Sequence, residues 1–362
     1  MTKNKNATPT PTLSDSKVKL GDVARKAGVS PATVSRVLNH PEIVSPELRE
    51  RVSRAVTALA YTRDSAGRAL KSRRTRTLGV VVPTLGISIF AEGVEAMQNR
   101  LSEHGYTLLI ANSQYEARRE LQEVASLLEH GVDGLALVGD AQLPETHQLI
   151  RQHGVPYLTT YVATARDEVQ AIGIDNEGAA ASMARYLLEL GHRHFGIIAN
   201  LPESNDRSMS RYLGIRAALA EADVPLPHSH VISMSQTLQH GRQGLRQLIQ
   251  SNPEITAVMC TTDTLAIGAL AEARSLGLKV PQHISITGFD DIELASQFDP
   301  PLTTISVPAN EIGRAAADHL VNAAAGVRIP VITTLPHRLI VRGSTGPAPG
   351  LVRRPKLHRT AE

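Results

Sequence analysis

Between positions 20 and 39 apolar residues recur at helical spacing in two short blocks, Val23, Ala24 and Ala27, then Val34, Val37 and Leu38, with Gly28 and Val29 at the break. Two helices joined by a glycine turn fold these positions into one small core. Gly28 suits the left-handed residue that ends the first helix, Ser30 the cap of the second, and Pro31 its first position, where no donor is needed. A third stripe, Leu48, Val52, Val56 and Leu59, follows Ser45 as cap and Pro46, and runs to about Ala60.

After Thr77 the pattern changes. The short apolar runs 78–83, 106–111, 133–138, 155–160, 171–174, 195–200, 231–233, 257–260 and 284–289 read as buried strands. Between them lie the helical stretches Phe90 to Gly105, Arg118 to His130, Asn176 to Leu190, Ser208 to Ala222, Leu238 to Gln250 and Thr264 to Leu276. Strand-helix alternation predicts parallel sheets covered on both faces, and the length of 77–343 suits two sheets better than one. Open parallel sheets bind small molecules beyond the carboxyl ends of their strands, so a cleft between two lobes is the expected ligand site.

Charge separates the two parts of the chain. Residues 1–76 carry 16 Lys and Arg against 6 Asp and Glu, while the remainder carries 22 against 29. A basic helix-turn-helix implies duplex DNA, bound with steep salt dependence. Its second helix offers Pro31, Ala32, Thr33, Ser35 and Arg36 to a major groove. Arg36 can pair with guanine, Ala32 can touch a thymine methyl, and the Thr33 and Ser35 hydroxyls can hold phosphates. Taken alone, the segment fits an ordinary capped surface helix equally well.

Beyond Tyr61 the chain turns polar and basic. Asp64 can cap one further short helix, Ser65 to Lys71, whose one large apolar residue is Leu70 among Arg68, Lys71, Arg73, Arg74 and Arg76. A solvated linker is the plain reading, yet a leucine with no core to join also fits a wedge for the minor groove. No apolar run approaches the length needed to span a bilayer, and the first residues lack the apolar segment of a secretion signal, so a cytoplasmic protein with no membrane partner is expected. Cys260 stands alone in an apolar run and reads as a buried small hydrophobe.

The headpiece LGDVARKAGVSPATVSRVLN, the basic stretch ending near Leu70, and the strings IGIDNEGAA, LGHRHFGII, TTDTLAIGAL, ITGFDDIELA and PPLTTI together resemble the lactose/galactose repressor family of bacterial transcription regulators over about residues 18–343. The resemblance implies an α/β protein: a helix-turn-helix headpiece and hinge helix, then a two-lobed core of two parallel sheets, similar to periplasmic sugar-binding proteins. The expected divisions are a disordered tail at 1–16, the DNA-binding headpiece at 17–62, the hinge helix and linker at 63–76, the effector-binding and dimerisation core at 77–343, and a disordered tail at 344–362. Leu20, Ser30, Thr33, Ser35 and Asn39 match family positions that hold the DNA backbone, and Arg36 a base-reading arginine. Pro31 and Ala32 fall where the family varies its side chains to select operators; Ser45, Asp64 and Gly67 join the DNA-binding set, and Leu70 matches the leucine that opens the operator centre.

In the core, Arg211 and Asp290 match positions that hold a sugar or ligand acid from opposite sides of the cleft. Thr262 stands where many relatives have asparagine, Tyr161 where many have aspartate, and Gln236 where several have an aromatic platform. These departures point away from a simple neutral hexose, and the carboxylate missing at Tyr161 makes a sugar acid an option. No cofactor is called for beyond a small-molecule effector. The implied partners are palindromic double-stranded operator DNA and a second copy of the chain, joined through apolar surface around Ile87 to Leu101. The tail after Arg342 has no leucine heptad for a further association.

No catalytic constellation competes with this reading. His192 and His194 suit turn and surface roles, there is no P-loop, and Asp290 with Asp291 reads as one ligand contact beside one structural carboxylate. A transport-type binding protein, a sugar-modifying enzyme with a DNA module, and an activator or global regulator of the same fold remain as alternatives. Gly67 occupies a hinge position often held by alanine, and glycine inside a helix costs about 0.5–1 kcal/mol relative to alanine. Gly67→Ala is therefore expected to tighten operator binding, measured by fluorescence anisotropy; an unchanged or weaker affinity contradicts a hinge that folds on DNA.

Overall fold

A computed structural model of the chain describes residues 18–62, 74–164, 169–327 and 330–350. They fall into two compact units divided between Arg73 and Arg74. The first holds α1 (Leu20–Ala27), α2 (Pro31–Asn39), a 3-10 turn (Pro41–Ile43) and α3 (Pro46–Ala58). Val23, Ala24, Ala27, Val34, Val37, Val44, Val52 and Ala55 form its core, with Leu48, Val56 and Leu59 packed against it. That is the stripe the spacing predicts, although α3 ends two residues earlier than expected.

The second unit contains two parallel sheets. Strands β1 (Thr77–Val82), β2 (Thr107–Asn112), β3 (Leu135–Val138), β4 (Tyr157–Thr160) and β5 (Gln170–Gly173) belong to the first. β6 (Phe195–Ala199), β7 (Val231–Ser233), β8 (Ala257–Cys260) and β9 (Ser285–Thr287) make the second, in the order β7-β6-β8-β9. After β9 come β10 (Thr304–Ser306), β11 (Ile332–Thr334) and β12 (Arg338–Ile340). β11 returns to the first sheet, completing the order β11-β5-β4-β3-β1-β2, while β12 pairs antiparallel with β10. The chain thus passes between the lobes three times, and the late strands bind both lobes to its final segment.

Helices cover both faces. In the first lobe these are α4 (Ser88–Glu103), α5 (Ala117–Glu129) and α6 (Pro144–His153), joined late in the chain by α12 (Ala309–Ala324). The second lobe has α7 (Asn176–Glu189), α8 (Asp206–Glu221), α9 (Leu238–Ser251), α10 (Asp263–Ser275) and the short α11 (Glu293–Gln297). Alternation along β1 sends Leu78, Val80 and Val82 into the cluster under α4 and α12, and Val81 into the one under α5 and α6. β3 repeats this, with Ala136 and Val138 on one face and Leu135 and Leu137 on the other.

Four expectations change. Ile87, Ile89, Phe90, Val94, Met97 and Leu101 lie in the protein's own core and provide no free apolar surface. The disordered tail does not begin at 344: the Ser344 hydroxyl donates to the Ile286 carbonyl and accepts from the Thr303 amide at 2.8 Å, and the Ala348 amide bonds the Leu190 carbonyl. The linker ends earlier than 76, because the Thr75 and Arg76 amides both donate to the Asp133 carboxylate, at 3.0 and 2.8 Å. His192 is fully buried rather than superficial, its ring within 2.9 Å of the Thr256 hydroxyl and 3.1 Å of the Ser285 hydroxyl and the Gly346 carbonyl. Burial holds that imidazole below its ordinary pKa.

Helix pairs approach through glycine. A Cβ on Gly313 of α12 would collide with the Gly93 carbonyl of α4, one on Gly214 of α8 with the Glu177 carbonyl of α7, and one on Gly241 of α9 with the Leu265 carbonyl of α10. The obstacle is backbone each time, so it does not swing aside. Gly313→Ala is expected to force α4 and α12 apart and to destabilise the core by about 1–3 kcal/mol. Thermal unfolding followed by circular dichroism reads this as a lower midpoint, and an unchanged midpoint contradicts it.

Candidate DNA-reading helix and effector cleft

In the helical unit, Gly28 ends α1 with φ 63°, and its amide donates to the Arg25 carbonyl. Ser30 caps α2: its hydroxyl accepts from the Thr33 amide at 3.1 Å and lies 2.8 Å from the Thr33 hydroxyl. Val34 and Val37 face the core, which leaves Pro31, Ala32, Arg36 and Asn39 exposed and Thr33 and Ser35 half-exposed. The Asn39 amide donates to the Ser35 hydroxyl at 3.1 Å, so two polar groups of this face are already oriented. Leu20 is half-buried against the core. Ser45 stands at the N-cap of α3, but its side chain makes no capping bond, contrary to expectation; Pro46 starts the helix without it. Asp64, Gly67, Leu70 and the hinge helix lie outside the described residues.

In the larger unit, Tyr161, Arg211, Gln236, Thr262 and Asp290 line a single cleft. Arg211, on α8, is its buried centre. Its Nε donates to Asn176 Oδ1 at 2.9 Å, and its Nη1 to the Thr261 carbonyl at 2.7 Å and to Asp290 Oδ1 at 3.2 Å. The guanidinium carbon lies 3.7 Å from the centroid of the Phe289 ring. Arg211 and Asp290 are therefore neighbours rather than residues facing each other across the cleft. Burial pushes the Asp290 carboxyl up to about 6 against the pull of Arg211.

The other three side chains have partners of their own. Tyr161, at φ 64°, donates its hydroxyl to the Ile89 carbonyl at 2.9 Å and sets its ring edge-on to Phe90, 5.3 Å between centroids. Thr262 caps α10 by accepting from the Leu265 amide. Gln236 accepts from the Tyr115 hydroxyl at 3.2 Å, a phenol whose burial raises its pKa to about 12. Asp290 and Asp291 diverge from left-handed backbone (φ 120° and 61°). Asp291 turns to the Arg342 guanidinium at 2.7 Å.

Sequence reasoning passed over Arg207, Tyr115, Asn205 and Ser208, which also line the cleft. Arg207 had a usable signal, since it precedes Arg211 by one helical turn and shares its face. It is buried and pairs with Asp206 at 2.7 Å, while Asp206 accepts from the Asp140 amide at 2.9 Å, bridging the lobes. Tyr115 lies in the loop after β2 and had no such signal. Among the described residues no group of three or more His, Cys, Asp or Glu side chains is placed to hold a metal ion, and no helix is long and apolar enough to cross a membrane.

A three-helix unit with an exposed recognition helix, followed by a two-lobed core with a polar cleft between its sheets, defines a ligand-responsive DNA-binding regulator. Residues 19–64 match the model for bacterial regulatory proteins of the lacI family, and residues 75–341 that for periplasmic binding proteins and the sugar binding domain of the LacI family. The chain belongs to the LacI family of bacterial transcriptional regulators. It is 35% identical over 330 residues to the HTH-type transcriptional repressor CytR of Escherichia coli K12, spanning 91% of this chain and 96% of that protein. Among solved structures it is similar to the transcriptional regulator CelR in complex with cellobiose, at 30% identity and TM-score 0.68 over 90% of this chain and 99% of that one. It is also similar to the lac repressor dimer bound to operator and the anti-inducer ONPF, at 27% identity and TM-score 0.81 over 91% and 100%.

The buried pair offers a direct check. Removing one partner of a buried ion pair leaves a bare charge and typically costs about 3–5 kcal/mol. Asp290→Ala is expected to destabilise the core by that order in urea unfolding, with Arg211→Met in the same chain regaining part of the loss. Additive losses in the double variant contradict a coupled pair.

Proposed function

We propose that the protein is a dimeric cytoplasmic repressor of carbohydrate-utilisation genes, without catalytic activity, whose grip on a palindromic operator is set by a neutral polyhydroxylated metabolite bound between the lobes. The observation that carries this is the Arg211–Asp290 pair at the base of the cleft, a donor fork beside an acceptor and both within reach of one bound molecule. Each guanidinium of the cleft already has a carboxylate, Asp206 for Arg207 and Asp290 for Arg211, which favours a neutral sugar over a sugar acid. The cellobiose held by CelR agrees with that chemistry.

On the DNA side, Arg36 is the base reader of α2, with Ala32 limited to methyl contact and Pro31 offering no donor. Leu20, Ser30, Thr33, Ser35 and Asn39 hold phosphates, and Leu70 opens the central step. Two copies are required because each short reading face specifies only a half-site. A ligand changes operator affinity only through its different affinities for the two states of the core.

Genomic footprinting with and without candidate sugars tests this reading. Protected palindromes beside sugar-utilisation genes, altered by a neutral sugar, are expected. Protection that lacks two-fold symmetry, or that no metabolite changes, refutes it. Arg36→Ala is expected to weaken operator binding by about 1–3 kcal/mol and to relax selectivity at one base pair in each half-site.

A further inference from the structure

The chain enters the larger unit at Arg74, and its first residues there are held more firmly than the start of a strand requires. The Thr75 amide donates to Asp133 Oδ1 at 3.0 Å, and the next amide, that of Arg76, to Asp133 Oδ2 at 2.8 Å. The Thr75 hydroxyl donates to the Gly131 carbonyl at 2.7 Å and accepts from the Thr77 amide at 3.3 Å. The Arg74 guanidinium donates to the carbonyl of Ala324, the last residue of α12, and a Cβ on Gly105, just past α4, would lie 3.4 Å from Arg76 Nη1. Asp133 is itself fixed, since its amide donates to the Thr77 carbonyl at 2.7 Å. The Arg76 carbonyl accepts from the Thr107 amide of β2 at 2.9 Å.

Two successive amides turned on one carboxylate make a backbone nest around an anion, and such charge-assisted bonds are short and strong. Arg76 has φ 53°, left-handed backbone that a residue with a Cβ holds only where its surroundings impose it. Pairing of β1 begins at Thr77 and does not require that conformation. Its effect is on direction: the chain turns sharply before β1, and the carboxylate locks the turn. Among the described residues, every hydrogen-bond partner of Thr75 and Arg76 belongs to the first lobe.

We propose that Asp133 is a positioning residue for operator binding. Its clamp on Thr75 and Arg76 makes the first lobe and the departing chain one stiff piece, so that the lobe sets the spacing of the two heads. A movement of the lobe then reaches the heads instead of being taken up at the junction. Loss of the clamp leaves each head able to bind its half-site and removes the penalty for a wrong spacing. This rests on the reading of two heads on one palindrome and fails separately from it.

The test uses the full chain and a palindromic duplex that it enriches from a random-sequence pool, together with the same duplex one base pair longer or shorter at its centre. Fluorescence anisotropy is expected to show the enriched spacing preferred by about tenfold or more, because half-site separation is a geometric requirement of a fixed pair of heads. Asp133→Asn, which keeps the side-chain shape and one acceptor, is expected to lower that preference to below about threefold, as a looser connection does, with the unfolding midpoint of the core close to the native one. Arg76→Val puts a β-branched residue where φ is 53° and is expected to do the same should Asp133→Asn unfold. Each variant changes a charge, which acts alike on all three duplexes and cancels in the ratio. An Asp133 that only supports the fold lowers the midpoint, or weakens binding to all three duplexes equally, and leaves the preference intact. That result, or a native chain indifferent to spacing, overturns the proposal; failure to enrich any palindrome overturns the two-headed reading and this one with it.

Discussion

The core is organised around one buried cation. The Arg211 guanidinium touches the first residue of α7 through Asn176, the segment after β8 through the Thr261 carbonyl, and the crossover after β9 through Asp290 and the Phe289 ring. A charge at that depth is tolerable only when its donors are met, so the positions of three separate segments are constrained at once. Burial lowers the Arg211 pKa even so, against the support of Asp290. The cleft thus presents an arrangement that is already paired before any ligand enters.

That pairing is held from behind. Asp290 and Asp291 both adopt left-handed backbone, which residues with a Cβ rarely hold unless their surroundings fix it. Arg342 supplies part of the fixing: its guanidinium bonds the Asp291 carboxylate and the Leu302 carbonyl, and its amide bonds the Thr303 hydroxyl. Asp263, fully buried at the start of α10, accepts from the Thr304 hydroxyl at 2.6 Å and the Ile292 amide at 2.9 Å, and burial raises its pKa to about 7. The final segment of the chain and the crossover therefore act as one brace behind the cleft. Asp290 is therefore set among groups that are themselves held by hydrogen bonds.

How much of this was legible depends on the range of the interaction. The three-helix unit is local: Gly28, Ser30 and the valine stripe each act within a turn or two, and spacing sufficed to place them. The nine apolar runs announced the nine sheet strands up to Ser285–Thr287 for the same reason. β10, β11 and β12 did not register: β11 owes its place to β5, far back in the chain, and β12 pairs with β10, a strand that was itself unread. Ser344 and His192 were misread likewise: polar residues after a proline-rich or glycine turn look superficial until distant segments cover them. In the cleft, five lining residues came from family position alone, yet that Arg211 and Asp290 touch, and that Thr262 is committed to capping, are properties of packing that no spacing encodes.

The division of labour between the two units follows from their chemistry. On the proposed reading face, Pro31 and Ala32 carry no side-chain donor and Arg36 is the one fork, so on that reading a single copy discriminates few base pairs. Coupling two copies multiplies the effective concentration of the second half-site, and occupancy then depends steeply on how well the spacing of the two heads matches the operator. A steep dependence is what lets a modest change in the core matter. If closure of the cleft alters that match, the ligand need not touch the reading helix; its differential affinity for two core states is enough, and a weakly specific head is more responsive to it than one that grips each half-site tightly alone.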